Sequence, residues 1–152
     1  TWVSERALEK AQAEEAQLEG NDQFFAIFNQ GTNLVNLQRY AEAATTFDRA
    51  FALYAELGQE ETQRPYRIMW YQTSPYWAYF YSGRYQDVIN LADTTLNETI
   101  SEPTLEESLY WRAMAEYAAG DYTSAFADMR EAVRLNPNFS PGIFYLEQWG
   151  VE

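Results

Sequence analysis

The stretch Gly120-Asp121-Tyr122-Thr123-Ser124-Ala125-Phe126-Ala127-Asp128-Met129-Arg130-Glu131-Ala132-Val133-Arg134-Leu135-Asn136-Pro137 decides the fold. It opens on a glycine turn and places Ala125, Met129 and Ala132 at spacings of four and then three. Those positions share one face of a helix, and small residues along that face suit close helix packing. Asn136-Pro137 closes the segment.

The same passage occurs twice upstream, as Gln38-Arg39-Tyr40-Ala41-Glu42-Ala43 and Gly83-Arg84-Tyr85-Gln86-Asp87-Val88. Each copy is a Gly/Gln-x-Tyr turn followed three residues later by a small residue. The inward faces continue as Ala43, Phe47 and Ala50 in the first copy, and as Val88, Ala92 and Thr95 in the second. Recurrence of one helix-turn-helix unit is the mark of a repeat architecture.

The pattern resembles the tetratricopeptide repeat. That family has a small residue in mid helix A and an aromatic after the turn, then Ala, an aromatic and Ala along helix B, closing on Pro. Gly31 and Ala113 fall at its small helix A position, and Ala43-x3-Phe47 reproduces its helix B core. The resemblance covers about two thirds of the chain and implies an all-α, tetratricopeptide-like α-solenoid of antiparallel helix pairs with N- and C-terminal capping helices.

The second copy departs from the pattern, because Tyr76 stands where Gly or Ala belongs and Pro75 falls inside its helix A. Proline removes a backbone donor and crowds the carbonyl four residues back, so a kink or break is expected near Gln72 to Pro75. Tyr40, Tyr85 and Tyr122 are spaced 45 and 37 residues apart, against a family period of about 34. An insertion, most simply longer helices around Leu57 to Arg67, accounts for the first interval.

Start and stop signals divide a single domain over 1–152 into seven or eight helices. An N-terminal helix occupies 4–19, repeat 1 spans 22–57, an irregular repeat 2 spans 62–99, repeat 3 spans 104–137, and a capping helix covers 140–149. Leu8, Ala11, Glu15 and Leu18 share one side of the first. Asp22 is a candidate cap, Thr104 with Glu107 a capping box, and Ser140 a cap followed by Pro141. Gly20, Gly58, Gly83 and Gly120 lie near helix ends.

The chain has 152 residues, with hydrophobic residues at 47% and aromatics at 17%. That is enough to bury one core. No apolar run approaches the roughly 20 residues of a membrane span. The formal net charge of −13 opposes association with nucleic acid and anionic membranes, which Lys and Arg must neutralise. The opening Thr1-Trp2-Val3-Ser4 carries no initiator Met or basic leader, so the chain is expected to be cut from something longer.

With no His and no Cys, proton shuttles, thiol nucleophiles and nitrogen or sulfur metal ligands are missing. Carboxylate pairs such as Glu14 with Glu15 and Glu60 with Glu61 point about 100° apart on a helix and do not converge on one atom. No phosphate loop or nucleophile motif appears. No catalytic residue, metal site or cofactor is expected. The Asn97-Glu98-Thr99 and Asn138-Phe139-Ser140 triplets fit a glycosylation pattern that arises by chance.

In the tetratricopeptide family helix A lines the concave surface, so the resemblance implies groove positions at Phe25, Phe28, Thr32 and Val35 in the first copy. They fall on Trp70, Thr73, Trp77, Phe80 and Tyr81 in the second. In the third they fall on Glu107, Tyr110, Met114 and Tyr117. Helical spacing of large rings fits core as well as groove, and core is the commoner fate. The family's carboxylate clamp is not reproduced: Phe28, Thr32, Ser74, Glu107 and Trp111 occupy its positions.

The resemblance therefore implies a non-catalytic protein- or peptide-binding or scaffolding module. Its partner would be an apolar, Pro-rich or basic extended segment, or part of the same parent chain. The alternative is a purely structural accessory domain supporting a fused domain. Arg64 to Tyr71 with Gly83 to Ile89 also resembles helical modules attached to papain-like peptidase domains in bacterial surface proteins. That implies an extracytoplasmic setting, with the cytoplasm left open. The peptidase family's Cys and His have no counterpart here.

Overall fold

The computed structural model describes residues 2–15, 20–56, 72–98 and 106–151. The described residues form eight α-helices and no strand: α1 (Trp2–Glu15), α2 (Gly20–Asn36), α3 (Tyr40–Glu56), α4 (Ser74–Tyr81), α5 (Tyr85–Glu98), α6 (Glu106–Ala118), α7 (Tyr122–Leu135) and α8 (Ser140–Gln148). Two compact units divide the chain, 1–65 with 77–83, and 66–76 with 84–152. Trp70, Gly58, Thr104, Leu18 and the interval from Leu57 to Arg67 lie outside the described residues.

Every Gly/Gln-x-Tyr turn ends one helix and starts the next at its tyrosine. Gln38 adopts φ 59, Gly83 φ 80 and Gly120 φ 92, the left-handed geometry that closes a helix. After α2, the Arg39 amide donates to the Leu34 carbonyl and Gln38 to Val35, each at 2.9 Å. After α6, Asp121 donates to Glu116 and Gly120 to Tyr117 at 2.9 and 3.0 Å, repeating the motif. Orphan carbonyls are thus satisfied before the chain reverses. Asp121 caps α7, its side chain accepting from the Ser124 amide.

In the first unit α2 and α3 run antiparallel, since contacts step backwards along one as they advance along the other. Phe28 meets Phe47 edge-on at 5.1 Å, and Phe24 meets Tyr54 at 5.5 Å. α1 packs against α2 and buries Leu8. The side chains of Ala11 and Glu15 lie outside the described set. Asp22 is not the cap: α2 starts at Gly20, which leaves Asp22 in the first turn, where a carboxylate still complements the helix dipole.

In the second unit α6 and α7 are antiparallel by the same logic, with Arg112 on Asp128, Tyr117 near Phe126, and Leu109, Ala132 and Phe139 in one core cluster. α5 packs on α6, and α8 on α7. The three helix B faces are the centre of both cores. Ala43, Phe47, Ala50, Val88, Ala92, Thr95, Ala125, Met129 and Ala132 are all at 0% exposure. Burial of each large side chain among them stabilises by about 1.5–3 kcal/mol. Thr95 fits because its hydroxyl donates to the Leu91 carbonyl at 2.8 Å.

Pro75 is the second residue of α4, and the non-helical Gln72 and Thr73 before it agree with the break expected near Gln72 to Pro75. The proline thus falls in the first turn, where its missing donor costs nothing. Tyr76 is no obstacle to packing: it is fully buried, its hydroxyl donates to Ser108 Oγ at 2.9 Å, and its ring stacks on Trp111. Small Ser108 on α6 receives what the tyrosine adds. Burial pushes the Tyr76 phenol up.

Ser140 also fails as a cap. α8 starts at Ser140 itself, with Phe139 at the N-cap position making no side-chain bond and Pro141 in the first turn. Phe139 is buried with Leu109 and Ala132. Packing of that ring, rather than a capping hydroxyl, sets how the chain enters the helix.

Candidate functional site

Within the first unit, the C-terminal half of α4 is fixed by two inward residues. Ala78 and Tyr79 are buried, and the Tyr79 hydroxyl donates to Asp48 Oδ1 of α3 at 2.9 Å. That orientation leaves Trp77 40% and Tyr81 52% exposed. Their rings lie 5.5 Å apart, and Tyr81 also meets Tyr40 at 5.1 Å and Phe80 edge-on at 5.2 Å. A continuous aromatic surface results, built from α4 and the first residue of α3.

The other first-unit positions divide. Phe25 is 37% exposed, its ring edge-on to Phe24. Thr32 and Val35 are half-buried, and Thr32 Oγ1 is buried with no hydrogen-bond partner. Phe28 is a correction: at 0% exposure it belongs to the α2–α3 core and cannot line a groove. Its ring lies between Phe24, at 5.9 Å, and Phe47, at 5.1 Å.

In the second unit Thr73 is half-buried and its carbonyl accepts from the Tyr76 amide. Tyr110, Met114 and Tyr117 share a face of α6, yet the two rings are engaged by the C-terminal segment. Tyr110 meets Phe139 at 5.7 Å and Tyr145 at 5.9 Å. Tyr117 stacks flat on Trp149, with centroids 4.4 Å apart and 3° between planes. One side of each ring is therefore occupied by the chain itself, and Tyr117 keeps 36% exposure. Glu107 is half-buried, which raises its carboxyl together with neighbouring Glu106.

A polar network that sequence reading missed joins three helices of this unit. Arg112 of α6 grips Asp128 of α7 through two hydrogen bonds of 2.7 Å and reaches Asp93 of α5 at 3.0 Å. Bonding to Asp128 holds the guanidinium firmly charged. One turn along α6, Glu116 is 9% exposed and its Oε1 is buried without a partner. Burial, then the adjoining Asp128, pushes its carboxyl up to about 9. The i, i+4 spacing of Arg112 and Glu116 was visible in the sequence, but their partners on α5 and α7 were not.

Among the described residues no group of acidic side chains is arranged to hold a metal ion, and no helix is long and apolar enough to cross a membrane. Among the described residues the arrangement offers ring faces and internal ion pairs.

Residues 106–139, which hold α6, its turn and α7, match the family model of the tetratricopeptide repeat. The fold is accordingly all-α and tetratricopeptide-like. The chain is also similar to the RNA polymerase-associated protein CTR9 of Saccharomyces cerevisiae, 28% identical over 108 residues that cover 69% of this chain and 9% of that protein. The chain thus spans less than a tenth of the relative's length. No solved structure matches. These matches lend no support to the likeness with peptidase-fused bacterial modules.

Proposed function

We propose that the chain is a non-catalytic protein-binding or scaffolding module, and that the Tyr40, Trp77 and Tyr81 surface of the first unit receives an extended partner segment. The observation that carries this is the exposure of two touching rings, Trp77 and Tyr81, on a helix whose orientation Ala78 and Tyr79 already fix. Rings exposed to this degree suit anchoring of a partner side chain, because their apolar area is presented at little entropic cost.

Pro-rich and apolar segments would stack on the rings, and basic ones would add cation–π attraction. The net charge of −13 draws basic segments at long range. A segment of the same parent chain would meet the same chemistry. Nucleic acid and membrane insertion do not fit this reading.

An array of ten-residue peptides graded in Lys/Arg, Pro and Leu content tests it. At least one class should bind, and Trp77→Ala with Tyr81→Ala should weaken that binding tenfold or more while the helical circular dichroism persists. Equal binding by the double variant, or no binding of any class, would overturn the proposal.

A second reading, a structural accessory domain, draws on Tyr76, Trp111, Tyr110 and Tyr117, whose rings serve internal packing. An array blank for every peptide class, with Trp77 fluorescence shielded in a longer parent chain, would favour it.

A further inference from the structure

We propose that Glu116 is a proton-dependent latch of the second unit: its protonated carboxyl lets α6 seat against α7 beside Asp128, and losing that proton loosens the α5–α6–α7 packing. The geometry is that of a crowded acidic site with too few cations. Arg112 is the cation that bridges the three helices, and Asp128 engages it with both oxygens at 2.7 Å while Asp93 takes a third bond at 3.0 Å. The Arg112 side chain is 23% exposed and that of Asp128 14%, so water screens the cluster poorly.

A third carboxylate in that setting would be a second buried negative charge with no donor of its own. Glu116 is 9% exposed, and its Oε1 is buried and unpartnered. The charged groups bearing on it are Asp128 from α7, Arg112 on its own helix, and Asp121 at the α7 N-cap. Asp93 of α5 acts through Arg112. A neutral carboxyl turns this conflict into a donor: its O–H can donate to Asp128, which Arg112 alone does not saturate. An unpaired buried charge, by contrast, is strongly destabilising.

The direction of the pH effect follows. Glu116 titrates near 9 in the folded protein against an ordinary value of 4.5. Between those limits the folded state holds a proton that the unfolded chain has released. The contribution is complete below pH 4.5, declines as pH rises through neutrality, and is gone above about 9. Across that window each pH unit raises the unfolding constant about tenfold through this group alone. Glu116→Gln keeps the donor and shape but has no proton to lose.

The test compares wild type and Glu116→Gln by chemical denaturation from pH 5 to 10, with carbon NMR titration of the glutamate carboxyls in the wild-type chain. The ratio of their unfolding constants should grow about tenfold per pH unit between pH 6 and 8, and the resonance assigned to Glu116 should titrate well above the other glutamates. Parallel stability profiles, or a Glu116 carboxyl that titrates with the surface glutamates, would overturn the proposal. The NMR reading stands even if the variant fails to fold.

Discussion

The Phe47 ring fills the space that a side chain on Gly31 would need: a Cβ there would stand 2.6 Å from both Cε1 and Cζ of the ring. The first helix pair is therefore closed by one missing methyl group. Phe47 is fully buried and also meets Phe28, so it has nowhere to retreat.

Gly31→Ala should destabilise the first unit by about 1–3 kcal/mol through overpacking. That exceeds the gain of about 1 kcal/mol that alanine brings to a helix interior. Urea denaturation measures the balance, and a variant as stable as wild type would show that the ring can shift.

Gln38 holds a left-handed conformation that glycine adopts in the two equivalent turns. Gln38→Gly should stabilise by about 0.5–1 kcal/mol, the strain of about 1–2 kcal/mol relieved less the extra backbone entropy that glycine loses. Gly120→Ala should shift the denaturation midpoint the other way. Its Cβ would meet no atom within 4 Å, so the whole effect would come from φ 92 rather than from crowding.

Arg112→Lys keeps the charge but not the planar fork on Asp128. The expected loss is about 1–3 kcal/mol, typical of hydrogen bonds to charged groups. Amide exchange in α6 and α7 should accelerate together, because one guanidinium serves both. Unchanged protection would mean that Asp128 is held by other means.

Tyr117 and Trp149 stack face to face between α6 and the residue after α8. A double-mutant cycle with Tyr117→Ala and Trp149→Ala should give a coupling of about 0.5–1.5 kcal/mol. Strict additivity of the two losses would argue against α8 as a packed cap.

The turns were legible because each is encoded within about six residues. The Gly/Gln-x-Tyr spacing located three reversals, and the four-then-three spacing located nine buried residues without error. The break near Ser74 was legible, but Ser140 was misread as a cap. Pro75 signals a boundary and a kink alike, and the Ser140 hydroxyl lost to the packing of Phe139.

The sequence by itself determined the all-helical class, the pairing of helices across short turns and their inward small-residue faces, since these follow from periodicity and local backbone preference. Only the tertiary structure decided which rings face inward. Phe28 and Tyr76 are buried, Tyr110 lies against α8, Tyr117 against Trp149, and Trp77 and Tyr81 keep 40% and 52% exposure. An aromatic ring is compatible with core and surface alike, so its fate depends on residues 19 to 41 positions away. Glu116 is the sharper case: nothing in its neighbours along the chain distinguishes it from a solvated glutamate. Burial, and then Asp128, raise its carboxyl, and only folding brings these together.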